Sequence, residues 1–515
     1  MNIPVVSHLR TSHGGALCAG LLTLLLAGLS SQAVGQPSEV GEWHEPPCID
    51  PDPDCYIWPL AAIHAAHLPS ERILVWDFGD LDVMPPPQLW NPTDGSFSVV
   101  ETGVAFPLYC SGHAALADGS VLVAGGGEGP EFAQDEAIMF LLTGLGPWNQ
   151  VNSMNSTRWY PTLTSLPDGR VLATSGSTSD PVSIPQIPEI FGPLAVGPIG
   201  TLGAWSNVPN SPYKELSNYP FMFVLPDENK VFFAGPKDSS GDPPASERWT
   251  GTLDTDTGLW TFVDLSPFTG QFGSAVMYEP GKVLKGGGLT EGPTENETAI
   301  IDFTEQTPMW ESIFPGMTEP RLHHNLVLLP TGQILAIGGV NGADPVFAAE
   351  WFDPNAAEPS WQALAVMTRP RAAHSTAVLL RDGRVLACGG DDFLAPHLSS
   401  QSAEIFSPPY LFQGSRPAIG YAPTTVEYGT QFRVVMMSQA AMPTIEKVTL
   451  VRLAAVTHSF DQNQRFVPLE FEQVTDTKLR VTAPANGNIA PPGYYMIFVV
   501  SDMDIPSVGE YILLE

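Results

Sequence analysis

One short pattern occurs seven times along the 515-residue chain, and it limits the possible folds more than any other feature. Several apolar residues lead into a Leu-Pro-Asp-Gly-like turn, a short apolar strand follows, and a glycine pair closes the unit. The turn reads Leu116-Ala117-Asp118-Gly119, Leu166-Pro167-Asp168-Gly169, Leu225-Pro226-Asp227, Tyr278-Glu279-Pro280-Gly281, Leu329-Pro330-Thr331-Gly332 and Leu380-Arg381-Asp382-Gly383, with a first copy at Leu68-Pro69. From Leu68 onward the lead positions are 48, 50, 59, 53, 51 and 51 residues apart. Asp and Gly suit such turns because the first bonds its own backbone and the second takes a positive φ without a steric cost.

A period of ~50 residues with one hairpin signal per unit is that of kelch blades, each a four-stranded sheet. Trp148, Trp260, Trp310 and Trp361 recur ahead of the next unit, where neighbouring blades pack on one another. Seven units predict a seven-bladed kelch β-propeller over residues 36–405. Long segments with a 3.6-residue apolar period are absent, in agreement with an all-β class. After Ala403-Glu404-Ile405-Phe406 the repeat stops. Residues 406–515 carry alternating strands such as Lys447-Val448-Thr449-Leu450-Val451-Arg452-Leu453 and Tyr494-Tyr495-Met496-Ile497-Phe498-Val499-Val500, which predict an immunoglobulin-like β-sandwich.

The N-terminal 35 residues read as a secretory signal peptide. Ala16 to Leu29 is an uncharged apolar run, shorter than the ~20 residues of a bilayer span, and Ala33-Val34-Gly35 suits cleavage. The expectation is a secreted or periplasmic protein with no membrane span after signal removal. Cys48 and Cys55 flank a short acidic loop and would form a local disulfide in that oxidising setting, whereas Cys388 lies in an apolar strand. A formal net charge of −33 argues against nucleic acid, whose binding rests on Lys and Arg neutralising phosphates.

Equivalent repeat positions occupy equivalent places in a propeller, so register serves as a ruler. Six residues before each lead position stand Ala62, Cys110, Tyr160, Tyr219, Phe272, His323 and His374. They should begin the strands around the axis and form a ring. A thiol, phenols and imidazoles on one level fit a redox metal such as copper or iron better than plain packing. The alternative for His323 and Tyr219 is that they simply line a wet channel, and His113 reads as a loop residue.

Four stretches carry a resemblance to a known family. Tyr109-Cys110-Ser111-Gly112-His113, Arg158-Trp159-Tyr160-Pro161-Thr162, Ala373-His374-Ser375 and Val456-Thr457-His458-Ser459 through Gln464-Arg465 together resemble the active-site segments of secreted copper radical oxidases, the galactose oxidase and glyoxal oxidase group. The resemblance covers the whole mature chain and implies an early-set sandwich after the propeller. It implies that Cys110 becomes thioether-linked to Tyr160 as a radical cofactor, and that Tyr160, His374 and His458 bind copper. It further implies oxidation of a small primary alcohol or aldehyde, carbohydrates included, by O₂ with release of H₂O₂. One copper handles one electron and the cross-linked tyrosine the other.

One position departs from the family pattern. Where the family has a tyrosine that binds copper axially and accepts the substrate proton, this chain has Ala373. General-base catalysis, worth ~10²–10⁴-fold, then needs a replacement such as water, Tyr219 or His323. The second functional reading is a non-catalytic secreted propeller that binds glycans or protein partners.

Overall fold

A computed structural model describes residues 35–515 apart from 48–56, 78–84, 104–105, 143–147, 179–186, 194–202, 213, 215, 228, 236–247, 290–292, 391–400 and 440–441. The signal segment and the Cys48–Cys55 pair lie outside the described residues. The described chain is almost all β, with one short helix at Pro37–Val40 and two 3₁₀ turns.

Seven antiparallel sheets follow one another in sequence order. The innermost strands are His64–His67, Gly112–Ala115, Thr162–Ser165, Met222–Val224, Ser274–Glu279, Asn325–Leu328 and Ser375–Leu379. Each pairs with the strand beyond its Asp-Gly-type turn, and two more strands extend the blade outward. In six blades the order is sequential. The seventh is closed by the N-terminus: Glu42–His44 pairs with Ala403–Ser407, with Trp43 opposite Phe406. Joining first and last strands in one sheet leaves the ring no open edge. That last strand runs to Ser407, so the blade extends two residues beyond the boundary drawn at 405.

The tryptophans act between blades, as their periodicity predicts. The Trp361 indole N–H donates to Thr298 Oγ1 at 2.9 Å in the preceding blade, and that of Trp310 donates to Thr250 Oγ1 at 3.1 Å. A second repeating device is a buried Arg–Glu pair. Arg158–Glu189 at 2.8 Å and Arg321–Glu350 at 2.5 Å have fully buried side chains. Arg371 faces Glu404 at 3.8 Å in the same way. In each pair the carboxylate also accepts two backbone N–H groups, for example those of Thr318 and Glu319 at Glu350. These bonds compensate the desolvation of a buried ion pair.

The C-terminal part packs a four-stranded sheet on a five-stranded one around Val434, Leu450, Leu479, Val481, Ile497 and Val499. Strand Gly493–Ser501 is buried on both faces. Tyr495, Ile497 and Val499 point into the sandwich, whereas Met496, Phe498 and Val500 join the core of the propeller blades. Period-two alternation thus serves two cores at once.

Candidate functional site

Six of the seven positions picked out by repeat register share one local conformation, and Ala62 is not among them. Cys110, Tyr160, Tyr219, Phe272, His323 and His374 each stand immediately before an innermost strand or within a few residues of it, and each has a left-handed backbone, with φ between 45° and 65°. Consecutive members are stitched together through their backbones. Tyr160 N–H donates to Cys110 O at 3.0 Å, Tyr219 N–H to Tyr160 O at 2.8 Å, and His323 N–H to Phe272 O at 2.6 Å. Left-handed φ in a non-glycine residue costs roughly 1–2 kcal/mol. Eight of the twelve such residues among those described belong to this ring or to the turn that faces it. Strain is therefore concentrated where side chains converge.

The turn that faces the ring comes from the C-terminal part. Strands Ala455–Thr457 and Phe460–Asp461 form a hairpin with His458 and Ser459 at its tip, both at positive φ (48° and 63°), as a type I′ turn requires. The hairpin runs along the axis because Ala455–Thr457 adds to the innermost strand of blade one, with His64 opposite Thr457. Ser459 fixes the tip: its N–H donates to Ser375 O at 3.0 Å and its hydroxyl to His323 O at 2.7 Å. Behind it, Gln462 Oε1 accepts the N–H groups of His113 and Leu163, tying two further blades to the same stalk.

Four sequence-predicted residues meet here. His458 Nε2 lies 3.1 Å from the Tyr160 hydroxyl and 3.9 Å from Cys110 Sγ. The His374 and His458 rings are 4.5 Å apart and nearly perpendicular. Cys110 and Tyr160 are packed in one buried cluster. Burial, followed by the neighbouring Cys110, Tyr109 and Tyr219, holds the Tyr160 phenol well above its ordinary value. A cation would reverse that direction by stabilising the phenolate.

Three features escaped the sequence reading. Tyr109 places its hydroxyl 3.3 Å from His374 Nε2. Trp159 stacks on Tyr160 with centroids 3.8 Å apart and planes at 16°. Thr457 Oγ1 sits 2.6 Å from His458 Nδ1 and orients that ring. Each is a direct sequence neighbour of a predicted residue, which was the available signal. His113, read as a loop residue, is instead fully buried in strand Gly112–Ala115. Its ring lies 4.8 Å from Trp76 and 5.4 Å from His64, and burial lowers its pKa to about 3. Of the ring members considered as replacements for the missing tyrosine, Tyr219 donates its hydroxyl to Ser111 O at 2.8 Å, and His323 packs against Phe272 at 5.0 Å. Cys388 is buried in its strand, as expected, beside Thr376 Oγ1 at 3.2 Å.

The donor set fits a transition metal. Two imidazole Nε2 atoms and two phenol oxygens converge with a thiol nearby, the nitrogen and oxygen types that suit copper. Atoms bound to one ion at ~2.0–2.1 Å and at right angles stand roughly 3 Å apart, close to the pairings seen here. Among the described residues no group of three or more His, Cys, Asp or Glu converges for a metal; tyrosines are needed to complete this set. A cavity of about 340 Å³ lined by His67, Glu71, Arg381 and Tyr511 lies at the opposite ends of the innermost strands of blades one and seven, away from this centre.

Comparison with known proteins identifies the family to which this fold belongs. Residues 416–514 match the family described as Galactose oxidase-like, Early set domain. The chain is 30% identical over 441 residues to "Aldehyde oxidase GLOX" of Vitis pseudoreticulata, covering 79% of this chain and 82% of that protein. It is 25% identical over 521 residues to "Galactose oxidase" of Gibberella zeae, covering 94% and 72%. A solved structure described as "Novel fungal alcohol oxidase with catalytic diversity among the AA5 family, in complex with copper" shares the fold, with a TM-score of 0.76 at 22% identity over 92% of this chain and 99% of that one. A propeller with an early-set domain and an axial histidine hairpin defines a class, and the chain belongs to it: the copper radical oxidase family of galactose oxidase and glyoxal oxidase.

Proposed function

We propose that this chain is an exported copper oxidase that converts primary alcohols or aldehydes with O₂ and releases H₂O₂. The observation that carries this reading is the meeting of three distant segments at His458 Nε2, with Tyr160 at 3.1 Å and Cys110 at 3.9 Å, and with the His374 ring alongside. The names of the relatives, an aldehyde oxidase and a galactose oxidase, support the substrate class. The copper held by the fungal alcohol oxidase of the same fold supports the metal.

Copper, when bound, supplies one-electron redox chemistry and an open coordination position. Tyr160, His374 and His458 would hold it through a phenol oxygen and two Nε2 atoms. The second electron from the substrate would be taken up at the cross-linked Tyr160, and both electrons would pass on to O₂. In that maturation the Cys110 S–H and a Tyr160 ring C–H give way to one S–C bond, and the two hydrogens pass to O₂ as H₂O₂. Trp159 would shield one face of the modified ring from water. Turnover is then RCH₂OH + O₂ → RCHO + H₂O₂; an aldehyde takes up one water as well and leaves as the acid.

Ala373, buried and without a donor atom, favours a second reading in which the propeller binds glycans or proteins without catalysis. Peroxide release separates the two. The copper-loaded protein should produce peroxide from members of an alcohol and aldehyde panel, and His374→Ala should not. Equal, background-level peroxide from both proteins would favour the binding reading.

A further inference from the structure

Tyr109 holds a place in the site that its position in the repeat does not predict. In an extended strand neighbouring side chains point to opposite faces. Here Tyr109 and Cys110 both face the centre: the phenol is 3.3 Å from His374 Nε2 and the thiol 3.9 Å from His458 Nε2. The left-handed backbone of Cys110, at φ 58°, breaks the alternation. Tyr109 itself is fixed from behind, where its carbonyl accepts the N–H of Gly127 at 2.9 Å. Gly126 packs against that same carbonyl so closely that an added Cβ would lie 2.4 Å from it, so only glycine fits there. The Tyr109 ring stands edge-on to His374, with centroids 5.9 Å apart and planes at 67°, and 8% of the residue is exposed.

The result is a pairwise pattern. Each imidazole Nε2 meets one phenol oxygen, His458 with Tyr160 and His374 with Tyr109. We propose that Tyr109 is the fourth side-chain donor of the copper centre, supplying from the blade-two loop the phenol that Ala373 does not supply from blade seven. This inference rests on the copper reading given above. It makes the loss at residue 373 a relocation of the phenol, from the residue preceding His374 to one 265 positions from His374 in sequence that touches its Nε2.

The test compares four full-length, copper-loaded proteins: wild type, Tyr109→Phe, Tyr109→Phe with Ala373→Tyr, and His374→Ala. Copper retained on dialysis, the Cu(II) EPR parameters and the phenolate-to-copper absorption band are read on each. Tyr109→Phe removes one oxygen and keeps the ring that packs. It should shift the EPR parameters, diminish the absorption band and weaken copper retention about tenfold or more. The double variant should recover retention and a phenolate band by returning a phenol from blade seven. Unchanged spectra and retention in Tyr109→Phe, with copper lost in His374→Ala, would overturn the role of Tyr109 and leave the copper centre standing. Equally weak, nonspecific copper in wild type and His374→Ala would overturn the copper reading, and this inference with it.

Discussion

His458 Nε2 and the Tyr160 hydroxyl are 298 residues apart in sequence and 3.1 Å apart in space. One sits on a hairpin of the C-terminal part and the other at the start of a blade-three strand, so the contact depends on both parts of the chain being in place. The site is consequently a sensor of how the hairpin is seated in the propeller.

The orientation of His458 depends on Thr457, whose hydroxyl is 2.6 Å from Nδ1. Partners of this type typically contribute 10–100-fold to metal affinity. Thr457→Val keeps the shape of the side chain and removes the hydroxyl. We expect copper affinity to fall by about that factor in a competition titration with a chelator, with the far-UV circular dichroism unchanged.

The Cys110–Tyr160 pair should react once copper and O₂ are present. Peptide mass spectrometry after aerobic copper loading should find the two peptides joined with the loss of two hydrogens. In Cys110→Ser they should remain separate. Unlinked wild-type peptides despite bound copper would mean that the ligands are present without the cofactor.

The buried Arg–Glu pairs should dominate blade stability. Glu350→Ala leaves the fully buried Arg321 guanidinium without its carboxylate and removes the acceptor of the Thr318 and Glu319 N–H groups. Breaking a buried pair by removing one partner costs about 3–5 kcal/mol. Denaturant unfolding should show a loss of that order, while an exposed pair such as Arg480–Glu472 should show almost none when Glu472 is changed to Ala.

Asp461, in the hairpin that carries His458, links stability to pH. Burial raises its pKa from 3.8 to about 6, although the N–H groups of Ala455 and Asn463 donate to it at 2.9 Å each and Arg452 opposes the shift. The folded state therefore binds a proton that the unfolded state releases between pH 4 and 6. This group's contribution is full below pH 4 and is lost as pH rises through 6, by roughly 2–3 kcal/mol. Asp461→Asn keeps the accepting oxygen and removes the titration. Relative to wild type it should gain stability between pH 4.5 and 7, measured as the difference in melting temperature; a constant difference across that range would contradict the assignment.

The repeat made the fold legible because each blade is built from local signals. An Asp-Gly turn, an apolar pair of strands and a spaced tryptophan all lie within ~50 residues. The same register located Cys110, Tyr160 and His374, since symmetry brings equal positions to one ring. His458 was legible through the resemblance of the stretch from Val456 to Arg465 to a family segment, not through the repeat. Tyr109 was not, because a side chain next to a ring position normally points away, and the left-handed turn at Cys110 redirects it. Closure of the last blade by Glu42–His44 was equally hidden, since a three-residue strand carries no periodicity.

Sequence alone thus determined the blades, the sandwich and the residue types able to hold a redox metal, because these follow from short-range patterning and repetition. Which atoms meet was decided by tertiary structure. The hairpin adds to blade one and not to another sheet, Ser459 locks its tip to two neighbouring blades, and the phenol of Tyr109 reaches His374 from a different blade. Those outcomes depend on backbone dihedrals and on packing between segments hundreds of residues apart, and no local pattern in the chain specifies either.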